Sequence, residues 1–118
     1  MFNQCTFLGN LTRNPEMRYT PTGTAVASCG IATNRRFKQG EDLKEEVMYM
    51  DLVLFGKAAE NFAQYCSKGD PVLVSGRIQQ RRWETDDGAK HSKHELVVET
   101  WKTLKRREGS GDADGGAQ

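Results

Sequence analysis

Residues 47–69 read VMYMDLVLFGKAAENFAQYCSKG, and the hydrophobic period changes inside that stretch. From Val47 to Phe55 the alternation is that of a strand. Met48, Met50, Leu52 and Leu54 share one face, and Val47, Tyr49, Asp51, Val53 and Phe55 share the other. The first set is the expected core face and the second the exposed or ligand-binding face. From Lys57 to Lys68 the spacing becomes helical, with Ala58, Ala59, Phe62, Ala63 and Cys66 on one side and Gly69 as a stop. The stretch is a strand that leads directly into the one helical segment of the chain.

Working outward, every other run is β-like. Phe2 to Leu11 ends at Thr12-Arg13-Asn14-Pro15, where the proline blocks further pairing. Thr20-Pro21-Thr22-Gly23 reverses the chain into a run of small residues, Thr24 to Asn34. Arg36 to Glu46 is charged, contains Gly40 and has almost no apolar residues besides Phe37, so it reads as a mobile hairpin loop. After the helix, Pro71 to Trp83 sets Val72, Val74, Gly76 and Ile78 against Leu73, Ser75, Arg77, Gln79, Arg81 and Trp83. Asp86-Asp87-Gly88 marks a hairpin turn, and Lys93 to Leu104 returns. Hairpin-linked strands with a single helix after the third predict a mostly all-β fold: a five-stranded antiparallel Greek-key barrel with one α-helix between strands three and four, the arrangement of the OB-fold.

The 118 residues suffice for one such domain, expected over residues 1–108, and the Gly- and Asp-rich residues 109–118 read as a disordered tail. Of the sixteen acidic residues two lie in that tail, which leaves fourteen against seventeen basic ones in the body and suits a polyanionic partner. Cys5, Cys29 and Cys66 are odd in number, far apart and without a CxxC pair, so they read as buried thiols of a reducing compartment. No apolar run approaches the length of a membrane span and no signal peptide is evident, which predicts a soluble, cytoplasmic protein.

Catalysis finds little support. Gly56-Lys57-Ala58 lacks the upstream glycine and the hydroxyl of a phosphate loop. His91 and His94 would point to opposite faces of a strand and read as solvated loop residues, while Asp86-Asp87 is turn chemistry; no enzyme, metal or cofactor is expected. Aromatics among cations are the stronger signal. Arg77-Ile78-Gln79-Gln80-Arg81-Arg82-Trp83 sets guanidinium groups beside an indole, and Phe37 follows Arg35-Arg36 and precedes Lys38 where there is no core to fill. Unpaired bases need such π-faces, and phosphates need such cations. Tyr49 and Phe55 lie about 20 Å apart on one strand face at ~3.3 Å per residue. From pattern alone each reads as a packing residue ahead of a binding one. Trp101 reads as a plug for the barrel end, and Lys105-Arg106-Arg107 as either a phosphate contact or an ordinary solvated end.

The segments Gly9 to Tyr19, Thr22 to Ala27, Leu54 to Glu60, and Lys68-Gly69-Asp70 leading to Ser75-Gly76-Arg77 together resemble the bacterial-type single-stranded DNA-binding proteins, from about Asn3 to Leu104. The resemblance implies an OB-fold that assembles as a homo-oligomer, usually a tetramer. It also implies binding of single-stranded DNA without sequence preference, protecting it in replication, recombination and repair. By the same matching, the base-stacking positions fall on Phe37, Tyr49, Phe55 and Trp83, and the phosphate-contacting positions on Arg35, Lys57, Lys68, Arg81 and Arg82. Asp51 departs from the family pattern and is left out of the expected site.

The family commonly ends in an acidic tip with a terminal phenylalanine that docks replication and repair proteins. Here the sequence ends Gly115-Gly116-Ala117-Gln118, so docking through such a tip is not expected. A primosome-type OB adaptor, acting mainly through protein contacts in replication restart, is the alternative; four retained aromatics argue against it. An RNA-binding OB module stays open, because stacking does not read the 2′-hydroxyl.

Overall fold

The computed structural model describes residues 1–105. Six strands and one helix follow in the order β1 (Cys5–Leu11), β2 (Glu16–Tyr19), β3 (Ala25–Gln39), β4 (Asp42–Phe55), α1 (Gly56–Tyr65), β5 (Pro71–Glu84) and β6 (Lys90–Thr103). Five of the strands close a ring, β1-β5-β6-β4-β3, because the end of β1 also pairs with β3 through Asn10 and Leu11. The expected barrel is therefore present, with the helix between its third and fourth strands. Two features refine it. β2 adds a short edge strand on β3, where the sequence reading had only turns, and the β4–β6 seam at Asp51–Val53 runs parallel while the other pairs are antiparallel.

Alternation fills the barrel as the sequence requires. Ile31, Leu52, Leu54, Val72, Val74 and Leu96 are fully buried, and α1 closes one end by inserting Ala59 and Phe62. The Phe62 ring meets Trp101 edge-on, with centroids 5.2 Å apart, so Trp101 plugs the barrel end as expected. Close packing against backbone forces glycine at two strand positions: a Cβ at Gly9 would come within 2.1 Å of the Ala32 carbonyl oxygen, and one at Gly76 within 1.9 Å of the Val97 carbonyl oxygen, at the bulge where β6 carries the extra residue Glu99. On the outer side Val53 is buried as well, because Val26 and Val97 flank it. Alternation assigned its face correctly and missed its burial.

The larger difference lies at residues 36–46. They form an ordered two-stranded arm in which β3 and β4 pair without interruption from Val26–Phe55 to Gln39–Asp42, around a turn at Gly40-Glu41. Two of the acids that suggested a loop are bonded across the arm: Arg35 Nη1 lies 3.1 Å from Glu46 Oε1, and Asn34 Nδ2 donates to Glu45 at 3.2 Å. Because β4 runs past the barrel edge, Met48 is exposed, although its parity is that of the core. The β5–β6 hairpin projects similarly. Its turn is held by Asp87, whose carboxylate accepts from the Thr85 hydroxyl and from the Ala89 N–H, and these bonds lower its pKa.

The helix ends at Tyr65, three residues before the expected Lys68. Cys66 turns extended to bury its thiol, and the following N–H groups find other acceptors: Ser67 bonds Asp70, Lys68 bonds the Asn14 side chain at 2.8 Å, and Gly69 bonds the Leu11 carbonyl at 2.8 Å. Burial pushes the Cys29 thiol up to about 12 and the Cys66 thiol up to about 11. Among the described residues no helix is long and apolar enough to cross a membrane, and no group of three His, Cys, Asp or Glu residues could hold a metal ion. Residues 109–118, the expected tail, lie outside the described residues, as do Arg106 and Arg107.

Candidate nucleic-acid interface

The outer face of β4, β6 and β5 is built by register. β4 contributes Tyr49, Asp51, Val53 and Phe55; Asp51 and Val53 pair with Glu95 and Val97 of β6; and β6 sets Glu95, Lys93 and His91 opposite Gln79, Arg81 and Trp83 of β5. The three large rings stand out of this surface: Tyr49 is 71% exposed, Phe55 46% and Trp83 43%. Arg81 reaches to within 5.6 Å of the Trp83 ring centre, and His91 stacks on that ring.

Between the rings runs a ladder of alternating charge. Arg13 lies 3.7 Å from Asp51, Asp51 3.4 Å from Lys93, Lys93 3.8 Å from Glu95, and Glu95 3.7 Å from Arg81. Glu95 is only 5% exposed and also accepts from Gln79 Nε2 at 2.9 Å. Three cations thus meet two carboxylates, so the strip is weakly positive and its cations are held in place before any ligand arrives. Arg13 reaches the face because β3 has no side chain beneath it: a Cβ at Gly30 would meet the Thr12 hydroxyl at 2.6 Å and the Arg13 guanidinium at 2.8 Å. Beside it a cavity of about 330 Å³ is lined by Thr12, Arg13, Tyr49, Asp51 and His94, among others.

Not every expected site residue joins this face. Phe37 pairs with Lys44 on the arm, five residues from the Ala32 that faces Tyr49, so pleat alternation puts it on the opposite face of the ribbon. There it is half-buried under Arg35, whose guanidinium carbon is 4.7 Å from the ring centre. Arg82 likewise faces away from Trp83 and donates to Gln80 at 3.0 Å. Lys57 is the second residue of α1 and lies 4.0 Å from Glu60, while Lys68 is exposed in the loop after the helix. Lys105 is structural, since its ammonium donates to the Tyr65 carbonyl and pairs with Asp70.

The single-strand binding protein family model matches residues 2–104. The chain belongs to this family. A single-stranded DNA-binding protein of Helicobacter hepaticus is 42% identical over 113 residues, covering 95% of this chain and 66% of that one. Single-stranded DNA-binding protein B of Bacillus subtilis is 42% identical over 114 residues and is covered over its whole length. The Helicobacter pylori relative is covered over 60%, so the chain spans from under two thirds to all of the relatives it matches. Among solved structures, a Plasmodium falciparum SSB in complex with ssDNA superposes with a TM-score of 0.81 at 20% identity, over 89% of this chain and 97% of that one, which establishes the OB-fold. A deletion mutant of the Thermus aquaticus single-stranded DNA binding protein superposes at 0.78 with 33% identity, over 90% of this chain and 52% of that one.

Arg13, Lys93 and His91 are the residues of this family member's outer face that sequence reasoning missed. His91 was within reach, because a turn centred on Asp86-Asp87-Gly88 fixes the hairpin register and so its place opposite Trp83. Arg13 carried no signal, since its position depends on the path of the chain over Gly30.

Proposed function

We propose that this protein binds single-stranded DNA without sequence preference, by stacking bases on Tyr49, Phe55 and Trp83 and drawing phosphates to Arg13, Lys93, Arg81 and the exposed Lys57 and Lys68. The observation that carries the reading is the shared outer face, which holds three exposed rings among cations already in place. Every base offers a π-face, so stacking reads no sequence. Phe37 and Arg35 on the arm, and Arg82 on the reverse of β5, extend the path of a longer strand beyond that face. The protein acts by binding rather than catalysis, in the cytoplasm, where it protects single strands during replication, recombination and repair.

A homo-oligomer, with a tetramer as the family form, is part of the same proposal. Exposed Leu8 of β1 stands opposite exposed Leu73 of β5, an apolar pair away from the ladder that a second copy would cover. Sedimentation of the free protein tests that part, and Leu8→Glu is expected to shift it toward monomer.

The experiment for binding is a titration with oligo-dT, oligo-rU and duplex DNA, followed by tryptophan fluorescence at two salt concentrations. Oligo-dT quenches the emission, and its affinity falls as salt rises. No quenching, or an equal response to duplex, overturns the reading.

A further inference from the structure

Trp83 is not a bare ring. Its register partner across the β5–β6 hairpin is His91, and the two rings lie nearly parallel, with centroids 5.5 Å apart and planes 19° apart. That is an offset stack. Both side chains are exposed, so no core packing demands the contact. On the same face the neighbouring rung holds Arg81 of β5 and Lys93 of β6, both of which face Glu95. Glu84 and Lys90 pair on the reverse side of the ribbon, and Asp86 and Asp87 lie in the turn beyond it. No carboxylate shares the rung of the stack.

We propose that His91 is a positioning residue of the interface: its imidazole stacks on the Trp83 indole, holds that ring in place beside Arg81 for a base to meet, and tightens the grip on the strand when it is protonated. This rests on the single-strand reading. The first part is pre-organisation. An exposed tryptophan at the end of a two-stranded ribbon must otherwise be ordered when a base arrives, and a ring already held loses less conformational freedom on binding. The second part is linkage. A phosphate brought beside the stack favours the charged imidazole, as it favours Arg81 and Lys93, so binding takes up a proton at His91. Affinity therefore rises as pH falls from 8 to 5.5.

The test is oligo-dT titration between pH 8 and pH 5.5 at fixed salt, for the wild-type protein, His91→Ala and His91→Phe. Wild type is expected to bind about threefold more tightly at the acid end. His91→Ala binds about threefold more weakly at pH 8, as loss of an aromatic contact predicts, with a flattened pH profile. His91→Phe recovers the affinity at pH 8, because it still stacks, and keeps the flattened profile. Both variants melt with wild type, since the pair is exposed. Variants that match wild type in affinity and profile overturn the proposal. So does a pH dependence that survives in both, which would belong to His94 or to the carboxylates. Wild type failing to bind at pH 8 would overturn the single-strand reading itself. The stack is then checked alone, by whether His91→Ala raises the emission of Trp83 in the free protein.

Discussion

Asp51→Asn removes a carboxylate from the middle of the outer face and leaves its shape unchanged. That carboxylate lies 3.7 Å from Arg13 and 3.4 Å from Lys93, so it stands where it competes with a phosphate for both cations. A phosphate seated on either cation would sit on the order of 7 Å from Asp51, where repulsion is about 0.6 kcal/mol in bulk water and about 2.4 kcal/mol at an effective dielectric of about 20. The face is half exposed, so about 1 kcal/mol is the working value, or roughly fivefold tighter binding. The salt dependence sharpens the prediction. One further cation freed for phosphate steepens the slope of log affinity against log salt by about 0.7 on a single strand.

Stability should barely move, because exposed ion pairs contribute about 0–1 kcal/mol. Oligo-dT titrations at four salt concentrations, with a thermal melt of each protein, measure all three quantities. Unchanged affinity together with an unchanged slope would show that the carboxylate does not compete. Weaker binding would show that it positions Arg13 and Lys93, and the competition argument would fall.

Trp83→Ala is expected to cost about 1–3 kcal/mol of binding and to leave the urea midpoint where it was, and Tyr49→Ala should act in the same direction. Phe37→Ala should spare binding of oligonucleotides short enough to stay on the outer face and weaken binding of longer ones, as length-dependent titrations would show. Phe62→Ala opens the end of the core against Trp101 and should destabilise the fold by about 3–5 kcal/mol in denaturant unfolding. With Cys29 and Cys66 pushed up to about 12 and about 11 by burial, a thiol reagent at pH 8 should reach at most Cys5 in the native protein and all three thiols after denaturation. The fold keeps these two thiols neutral. That contribution to stability is whole below the ordinary thiol value of 9.0 and is lost as pH rises from there toward about 11 for Cys66 and about 12 for Cys29, so the melting temperature should fall across that window.

The barrel was legible because its signal is periodic. Leu52, Leu54, Val72 and Val74 alternate over stretches long enough to exclude a helix, and Ala59 and Phe62 mark where the period changes. The arm was not legible, because a charged stretch such as Arg36 to Glu46 reads as a loop until its register is known. Only then do Arg35 and Arg36 come to face Glu46 and Glu45. The closing contacts were hidden for the same reason: β1 reaching β3, and β4 beside β6, are pairings between distant segments. Within the site, Trp83 and Phe37 declared themselves by neighbours that no core would accept. Tyr49 and Phe55 did not, since an aromatic on an alternating strand is as suited to packing as to stacking.

Core residues and exposed rings divide by position along the strands, with Phe55, exposed at the barrel end of β4, the exception. Core burial ends where β4 passes Met50 and β5 passes Ile78, and beyond those points both ribbons project from the barrel. Inside that limit a side chain changes stability when it is altered, as Phe62 does. Outside it a ring such as Trp83 is held only by its exposed neighbours His91 and Arg81, so its loss should be felt by a ligand and not by the fold. Asp51 and Glu95 stand at the seam between the two regions, where β4 and β6 begin to pair. The cations they hold, Arg13, Lys93 and Arg81, therefore take their places from the rigid barrel and not from the ligand. Phosphates would then meet a fixed row of charge while bases settle on rings held by the ribbons, and neither contact depends on which base is present.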